Sequence, residues 1–177
     1  LISLDAEGRV IHIGSFSKSL FPGLRLGYLV GSEPFIREAR ALRSTILRHP
    51  PGHVQRTAAY FLSFGHYDAL IKRTASAFKE RRATMEQAIA VHGLEVAGGG
   101  AGGSSLWMRA PENVDAADLV TLLAEDGVLI ESGTPFFPEE NGPKNYYRLA
   151  YSSIASNRIP EGISLIARAI DTLKSAA

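Results

Sequence analysis

The sequence contains no cysteine, one tryptophan and two methionines among its 177 residues. Without cysteine the chain can form no disulfide bond and no cysteine-ligated metal site. Its apolar runs fall well short of the ~20 residues that a membrane-spanning helix needs, and we expect no signal peptide. We therefore expect neither a disulfide-stabilised secreted domain nor a membrane protein, and the lack of cysteine is compatible with the cytoplasmic location that we expect.

A strong imbalance of charge is also missing. The 19 basic and 18 acidic side chains leave a net charge of +1, which indicates no basic face for nucleic acid or for an acidic membrane. The five histidines show no metal-ligand spacing. His49 and His53 are four apart, but Pro50-Pro51-Gly52 between them prevents a shared helical face. We therefore expect no metal site and no nucleic-acid binding through this segment.

Apolar residues make up 45% of the chain, enough for one packed domain or for one domain and a piece of another. Apolar runs at 10–13 and 24–30 are typical of buried strands. Ser32 and Pro34 mark the start of a helix. Further helices are predicted at 54–64, 67–91, 116–125 and 159–173, and further short strands at 94–97, 106–108, 128–130 and 146–150. The pattern predicts the end of an α/β layer, a long helix and a smaller α+β unit.

A run of glycines precedes one of these strands. Gly98, Gly100 and Gly103 match the G-x-G-x-x-G spacing of dinucleotide-binding loops. Such a loop needs a helix directly after it, because the pyrophosphate binds at the N-terminus of that helix. Here residues 105–108 are typical of a strand. We therefore interpret the run as a flexible link and expect no dinucleotide cofactor.

The loop from Gly14 to Gly23 carries a lysine, Lys18, directly after a predicted strand. Ser15 and Ser17 flank this lysine, and Arg25 follows it seven residues later. A site for pyridoxal 5'-phosphate (PLP) needs one amine for the cofactor's aldehyde, and hydroxyls and a guanidinium for its dianionic phosphate. The short pattern is also typical of an exposed loop lysine beside two solvated serines, and by itself it leaves that alternative open.

The full string from Gly14 to Tyr28 closely resembles the lysine segment of fold-type I, class I/II aminotransferases. It is most similar to the aminotransferase-like domain of MocR/GabR-type transcriptional regulators of the GntR family, relatives of kynurenine and α-aminoadipate aminotransferases. Further landmarks of this family follow in the expected order at 49–56, 102–107 and 145–153. Because they span nearly the whole chain, the resemblance is far more specific than any single motif.

The resemblance implies a role for each candidate residue. Lys18 would form the Schiff base with PLP and then move a proton between the substrate's Cα and the cofactor. Arg25 would bind the cofactor phosphate, with help from Ser15 and Ser17. Arg148 matches the arginine that holds the substrate α-carboxylate in a two-bonded fork. Taken alone, a strand arginine paired with a surface carboxylate is the simpler interpretation of Arg148; in this sequence context we favour the fork.

Aromatic residues lie beside these positions. Tyr28 and Tyr147 are predicted to be packed strand aromatics and not catalytic residues. The apolar loop Pro135-Phe136-Phe137-Pro138 either folds over the substrate, as the resemblance suggests, or simply packs, and both alternatives stay open.

Parts of a complete PLP site have no counterpart in this sequence. In the resembled family, the acid on the pyridine nitrogen, the aromatic residue stacked on the ring and the polar partner of the ring oxygen lie upstream of the lysine strand. The chain also begins at Leu1 and runs directly into an apolar strand. We therefore expect the C-terminal portion of a longer protein, with about half of a site. Any DNA binding would belong to a missing N-terminal winged helix-turn-helix of the MocR type.

The expected fold is α/β, the C-terminal part of a PLP-dependent transferase of fold type I. Residues 1–50 would be the remnant of the large PLP-binding domain, 51–92 connecting helices, and 93–177 a small α+β domain with an antiparallel sheet. Strand edges that the missing half covers would be exposed. The resemblance also implies a homodimer with shared active sites.

Three functions are consistent with the sequence. The first is a PLP-dependent aminotransferase that transfers an amino group from an amino acid or amine through Lys18. The second is the effector-sensing domain of a MocR-type transcriptional regulator that binds PLP with little turnover. The third is a folded fragment that binds no cofactor.

Overall fold

The computed structural model describes residues 2–98, 100, 102–138 and 142–176. Two residues of the glycine run, Gly99 and Ala101, lie outside this part of the chain. The chain divides into two compact units, Leu1–Arg73 and Thr74–Ala177, and each is described by itself. The division falls within one helix and within the segment predicted to connect two domains; the three predicted domain ranges stay a prediction.

The first unit combines a pair of strands with helices. Strand β1 (His12–Ser15) pairs antiparallel with strand β2 (Gly27–Val30), and the loop between them carries Lys18. Helices α1 (Glu33–Ile46) and α2 (Gly52–Ser63) follow, and α3 (His66–Val91) begins in this unit.

The helix boundaries in this unit follow local sequence signals. Helix α1 begins directly after Ser32 with Pro34 in its first turn, as predicted, since proline has no N–H to lose there. Gly65 separates α2 from α3 with a φ of +73°, a left-handed conformation that glycine adopts without steric cost.

The prediction that both strands of the first unit are buried is wrong for this chain. All residues of β2 are exposed, and the exposed fraction of Ile13 in β1 reaches 76%. Apolar runs of this kind suit a sheet that is covered on both faces, but β1 and β2 form a sheet of two strands among the described residues. The apolar sequence therefore has no core here in which to be buried.

The second unit is built on an antiparallel sheet of four strands. Strands β3 (Glu95–Gly98), β4 (Ser105–Arg109), β5 (Glu131–Ser132) and β6 (Tyr146–Ala150) lie in the order β3-β4-β6-β5. The antiparallel sheet predicted for the small domain is thereby confirmed.

Alternation along the two central strands separates the faces of this sheet. Leu106 and Met108 of β4 and Tyr147 and Leu149 of β6 are buried, while the residues between them are exposed or half-buried. Side chains at alternate positions of a strand point to opposite faces. One face therefore lies on the core and the other is open.

Three helices supply the rest of this core. Met85 and Ile89 come from the second half of α3, and Leu119 and Leu123 come from α4 (Ala116–Glu125). Helix α4 begins where the Asp115 carboxylate accepts a hydrogen bond from Ala117 N at 2.8 Å. Helix α5 (Ile159–Ala176) buries Ile159, Ile163, Ile166 and Ile170 along one face, and Leu173 of the same face is partly buried. Full burial of one such side chain contributes about 1.5–3 kcal/mol.

The architecture is thus α/β, as predicted. No helix in the described ranges is long and apolar enough to cross a membrane. Nor do the described residues bring three histidine, aspartate or glutamate side chains together in a way that would hold a metal ion.

Candidate functional site

The lysine loop connects β1 to β2 and is closed by backbone hydrogen bonds. Phe16 N donates to Leu26 O at 3.0 Å, which extends the strand pairing into the loop. Within the loop, Leu20 N donates to Phe16 O at 2.8 Å across a turn that places Lys18 at the surface. A short 3-10 turn at Pro22–Leu24 completes the loop and buries Leu24.

Two glycines allow the strands to approach closely at the base of this loop. A Cβ on Gly27 would lie 2.8 Å from Gly14 O, and a Cβ on Gly14 would lie 2.1 Å from the ring of Tyr28. Gly14 and Tyr28 are direct partners in the strand pairing. Any side chain at Gly14 would require the Tyr28 ring to move, so glycine at the start of the lysine motif lets that ring lie across the strand.

Aromatic contacts support the first residue of the loop. The Phe16 ring lies 5.4 Å from the Tyr28 ring and meets the Tyr67 ring edge-on at 5.9 Å, between centroids. Tyr67 lies in the first turn of α3, so these contacts connect the loop to a helix. Tyr28 packs as a strand aromatic, as predicted.

The polar groups of this loop are those that a phosphate ester with an aldehyde requires. Ser17 N donates to Ser15 Oγ at 3.2 Å, so the two hydroxyls lie on one short bend. Lys18 and Arg25 have exposed side chains, and neither forms an ion pair with a described carboxylate of the first unit. Two cations and two hydroxyls on one loop suit a dianion better than any neutral ligand.

Arg25 has an unusual backbone. Its φ is +48°, in the left-handed region, where it ends the 3-10 turn at Pro22–Leu24. Glycine or asparagine is favoured at such a position because other side chains are strained there. Arg48 has a similar left-handed backbone, with a φ of +56°, so the conformation of Arg25 does not by itself assign a function to its side chain.

Arg148 lies on β6 in the second unit, on the open face of the sheet. Its guanidinium is paired with the carboxylate of Glu131, which lies directly opposite it on β5. The same guanidinium lies over the ring of Phe136, 5.5 Å from the centroid. The pairing is the arrangement that the simpler interpretation of Arg148 describes, and its role in holding a ligand stays a prediction.

An aromatic cluster surrounds this arginine on the open face. Trp107, the direct partner of Arg148 on β4, stacks on Tyr146 at 5.9 Å and meets Phe136 edge-on at 5.6 Å. Phe137 contacts Tyr146 at 5.5 Å between centroids. The apolar loop at 135–138 therefore packs on the sheet and places the Phe136 ring beside the guanidinium of Arg148.

Gly133 positions this loop. A Cβ at this residue would lie 2.6 Å from Tyr146 O and 2.8 Å from the Trp107 ring. Its own N–H donates to Tyr146 O at 2.7 Å, and its carbonyl accepts from Phe136 N at 2.9 Å. The loop can reach the aromatic cluster only because glycine stands at its start.

The structure thus places three of the five predicted site residues on one loop, Ser15 at the end of the strand that leads into it, and Arg148 on the sheet of the other unit. The sequence did not reveal Glu131 and Gly133. Glu131 pairs with Arg148 through strand register, and the only signal was an acidic residue near a Ser-Gly turn. The register between strands β5 and β6 depends on the conformation of the loop that connects them, so the sequence distance between Glu131 and Arg148 does not predict their pairing.

Comparison with known proteins gives the family. The aminotransferase class I and II family model matches residues 1–164. The HTH-type transcriptional regulator TauR of Rhodobacter capsulatus is 61% identical over 171 residues, covering 96% of this chain and 35% of that protein. The chain therefore spans about a third of the length of that relative.

Two solved enzymes share the fold. Kynurenine aminotransferase of Pyrococcus horikoshii, in complex with PMP, has a TM-score of 0.83 and 28% identity, covering 96% of this chain and 42% of the enzyme. The α-aminoadipate aminotransferase LysN of Thermus thermophilus, complexed with N-(5'-phosphopyridoxyl)-L-leucine, has a TM-score of 0.82 and 28% identity, covering 95% and 43%. With the family model matching most of its length, this chain belongs to the aminotransferase class I and II family.

Proposed function

We propose that this chain is the PLP-binding and amino-ligand-binding part of an aminotransferase-like domain within an HTH-type transcriptional regulator. The observation that carries this proposal is the 61% identity to the regulator TauR across 96% of the chain. The chain covers 35% of that protein. We therefore propose DNA binding for the complete protein and not for this chain. In this proposal, the amino ligand is an effector that the domain detects.

The lysine loop fits PLP by the chemistry of its donors. Lys18 supplies an exposed primary amine, and Arg25 supplies a guanidinium free of described carboxylate partners in its own unit. Ser15 and Ser17 add hydroxyls on the same bend. PLP, when bound, supplies an aldehyde for primary amines and a ring that withdraws electrons from the adjacent carbon of an amino ligand.

The residues of this chain would then divide the work. Lys18 would hold the cofactor through its amine, and its Nζ, when free, would accept a proton from the ligand's Cα. Arg25 and the two hydroxyls hold the phosphate in place. Arg148 orients the ligand by its anionic group, since a guanidinium binds a carboxylate through two parallel hydrogen bonds.

The proposal is tested by reduction of the PLP-loaded protein with borohydride, followed by mapping of the modified peptide by mass. We expect one phosphopyridoxyl group on Lys18 and none in Lys18→Ala. Lys72→Ala, which removes another exposed lysine of the first unit, serves as the matched control and should leave the yield unchanged. An unchanged adduct in Lys18→Ala would contradict the role of Lys18, and no adduct at all would favour a fragment without cofactor.

A second candidate function is catalytic transamination. It is favoured by the likeness to kynurenine aminotransferase, with a TM-score of 0.83 over 96% of the chain. The two candidates differ in turnover. A regulator domain should bind an amino ligand, seen as a change in cofactor absorbance, with little transfer of the amino group to a 2-oxo acid, whereas an enzyme should transfer it at about 1 s⁻¹ or faster.

Assembly belongs to the same proposal. We expect the complete protein to form a homodimer and to contact DNA through a domain other than this one. Light scattering of the PLP-loaded protein gives the mass of the assembly. Protection of operator DNA, with and without an amino ligand, then separates a sensing role from an enzymatic one.

A further inference from the structure

Glu131 holds Arg148 in the place where an anionic ligand would bind. The two residues are direct partners in the β5–β6 register, and the Glu131 carboxylate is paired with Arg148 Nη2. Each side chain is about half exposed, at 52% and 43% respectively. The guanidinium is therefore accessible to solvent and ligands, but its charge is already partly compensated by a carboxylate of the same chain.

The ring of Phe136 occupies space next to this guanidinium. Arg148 Cζ lies over the ring, 5.5 Å from its centroid. Carboxylates bind guanidinium groups in the plane of the N–H donors and not through the face. A ligand carboxylate must therefore approach in the plane that Glu131 already uses.

A second pair on the same sheet gives a comparison. Arg109 on β4 is paired with Glu95, its direct partner on β3, with exposed fractions of 46% and 51%. Among the described residues, a cation lying over an aromatic ring is found at Arg148 and not at Arg109. In both pairs the two residues are direct strand partners and are about half exposed. The pair at Arg148 differs because its guanidinium lies over an aromatic ring.

We propose that Glu131 is a specificity-determining residue that competes with the ligand's carboxylate for Arg148. This inference rests on the proposed function, in which Arg148 binds the anionic group of an amino ligand. Without ligand, Glu131 neutralises the guanidinium. A ligand that carries a carboxylate must displace Glu131, which lowers its affinity, whereas an amine without an anionic group leaves the pair intact.

The test measures the accessibility of Arg148 directly. The PLP-loaded protein is treated with phenylglyoxal, which modifies arginine, and the rate at Arg148 is followed by peptide mass. In Glu131→Gln this rate should rise about twofold to fivefold, the factor for loss of a partly exposed ion pair. Acetate, the probe for a carboxylate, should half-protect Arg148 at a concentration lower by the same factor, with sodium chloride at equal ionic strength as the reference.

Glu95→Gln is the matched control. It should raise the modification of Arg109 and leave that of Arg148 unchanged. Glu131→Asp, which keeps the charge on a shorter side chain, should fall between wild type and Glu131→Gln, and it replaces the glutamine variant if that variant does not fold.

Three results would overturn the proposal: an unchanged Arg148 rate in Glu131→Gln, a faster rate without better protection by acetate, or an equal effect of Glu95→Gln on Arg148. Borohydride mapping of Lys18 in the same samples keeps the proposed function separate. Loss of the Lys18 adduct would contradict PLP attachment, while the labelling of Arg148 would still report on Glu131.

Discussion

The two units of the chain differ in how much side chain each buries. In the second unit, 18 described residues form one contiguous core beneath the sheet that carries Arg148. Among the described residues of the first unit, which carries Lys18, the buried apolar ones are Leu24 and Ala58. The candidate residues of the two units are therefore supported unequally: Arg148 lies on a packed sheet, and Lys18 lies on a loop held by local contacts.

This difference indicates how each part obtains its geometry. Arg148 is fixed by strand register, by Glu131 and by an aromatic cluster on a sheet with a packed underside. The Lys18 loop depends on a few backbone hydrogen bonds, on close approach at Gly14 and on the rings around Phe16. Segments with few buried contacts open more readily, so the loop should be the less stable part in this chain.

Two strand leucines test the comparison most strongly. Leu106 on β4 is 1% exposed and Leu29 on β2 is 46% exposed. We expect Leu106→Ala to lower the free energy of unfolding by about 2–5 kcal/mol, because it removes buried methyl groups and leaves a cavity. Leu29→Ala should change it by no more than about 0.5 kcal/mol. Urea titration followed by fluorescence of Trp107, the single tryptophan, measures the change in the second unit. Hydrogen exchange of the β1 and β2 backbone amides measures the change in the first unit.

A large loss in Leu29→Ala would break the comparison. It would mean that the exposed strands of the first unit contribute as much stability as the packed sheet. A small loss of stability in Leu106→Ala would also contradict the comparison, because the packed sheet would then contribute little stability.

The turn at Gly133 gives the next largest expected effect. Gly133→Ala would force a Cβ to within 2.6 Å of a backbone oxygen, so it should cost about 1–3 kcal/mol and move Phe136 away from Arg148. Gly162 in α5 is the matched control, because nothing lies within 4 Å of a Cβ there. Gly162→Ala should stabilise the chain by about 0.5–1 kcal/mol. Equal effects of the two variants would show that the Gly133 turn is not tightly constrained.

The second unit was also the easier one to predict from sequence. The stripe Ile159, Ile163, Ile166 and Ile170 repeats at helical spacing, and its burial follows because one face of a helix packs on a sheet. The predicted strand at 128–130 is wrong in position: the strand consists of the two residues Glu131 and Ser132. Here Val128 N instead donates to Leu123 O at 2.9 Å, which closes the end of α4. Strand boundaries after a helix depend on such capping bonds, which propensity does not describe.

In the first unit, the apolar runs did not predict correctly whether the strands are buried. The apolar runs at 10–13 and 24–30 predict covered strands, yet β1 and β2 are largely exposed. An apolar sequence pattern shows that a strand would be stable when covered on both faces. Whether it is buried depends on which other helices and strands pack against it. The five candidate site residues came from motif and resemblance, whereas Glu131 and Gly133 required the three-dimensional arrangement of β5, β6 and the loop between them.

A smaller effect separates two buried tyrosines of the packed unit. Burial raises the pKa of the Tyr147 hydroxyl, which has no hydrogen-bond partner among the described residues. The Tyr151 hydroxyl, by contrast, donates to Gly103 O at 2.9 Å. Tyr147→Phe should therefore stabilise the chain by up to about 1 kcal/mol, while Tyr151→Phe should destabilise it by about 1 kcal/mol. The same urea titration compares them, and a clear loss in Tyr147→Phe would contradict the idea that its hydroxyl is unsatisfied.

Substitutions at Arg25 and Arg48 should change stability least, and they best distinguish an effect on PLP binding from an effect on folding. Arg25 and Arg48 both have left-handed backbones, with φ of +48° and +56°. Asparagine tolerates this region better than arginine, so Arg25→Asn and Arg48→Asn should each stabilise the chain by about 0.5 kcal/mol. Only Arg25 is proposed to hold the cofactor phosphate. Loss of its charged hydrogen bonds should weaken PLP binding about ten- to hundredfold in Arg25→Asn, with no change in Arg48→Asn.

Hydrogen exchange of the backbone amides measures the first effect in the weakly packed unit, and titration with PLP measures the second. If Arg25→Asn binds PLP as tightly as wild type, Arg25 does not hold the phosphate. If Arg25→Asn instead destabilises the loop while Arg48→Asn does not, the Arg25 side chain itself supports the fold, and its left-handed backbone would not reflect a functional demand. Greater stability combined with weaker PLP binding would mean that the Lys18 loop accepts backbone strain in order to place a guanidinium at the phosphate.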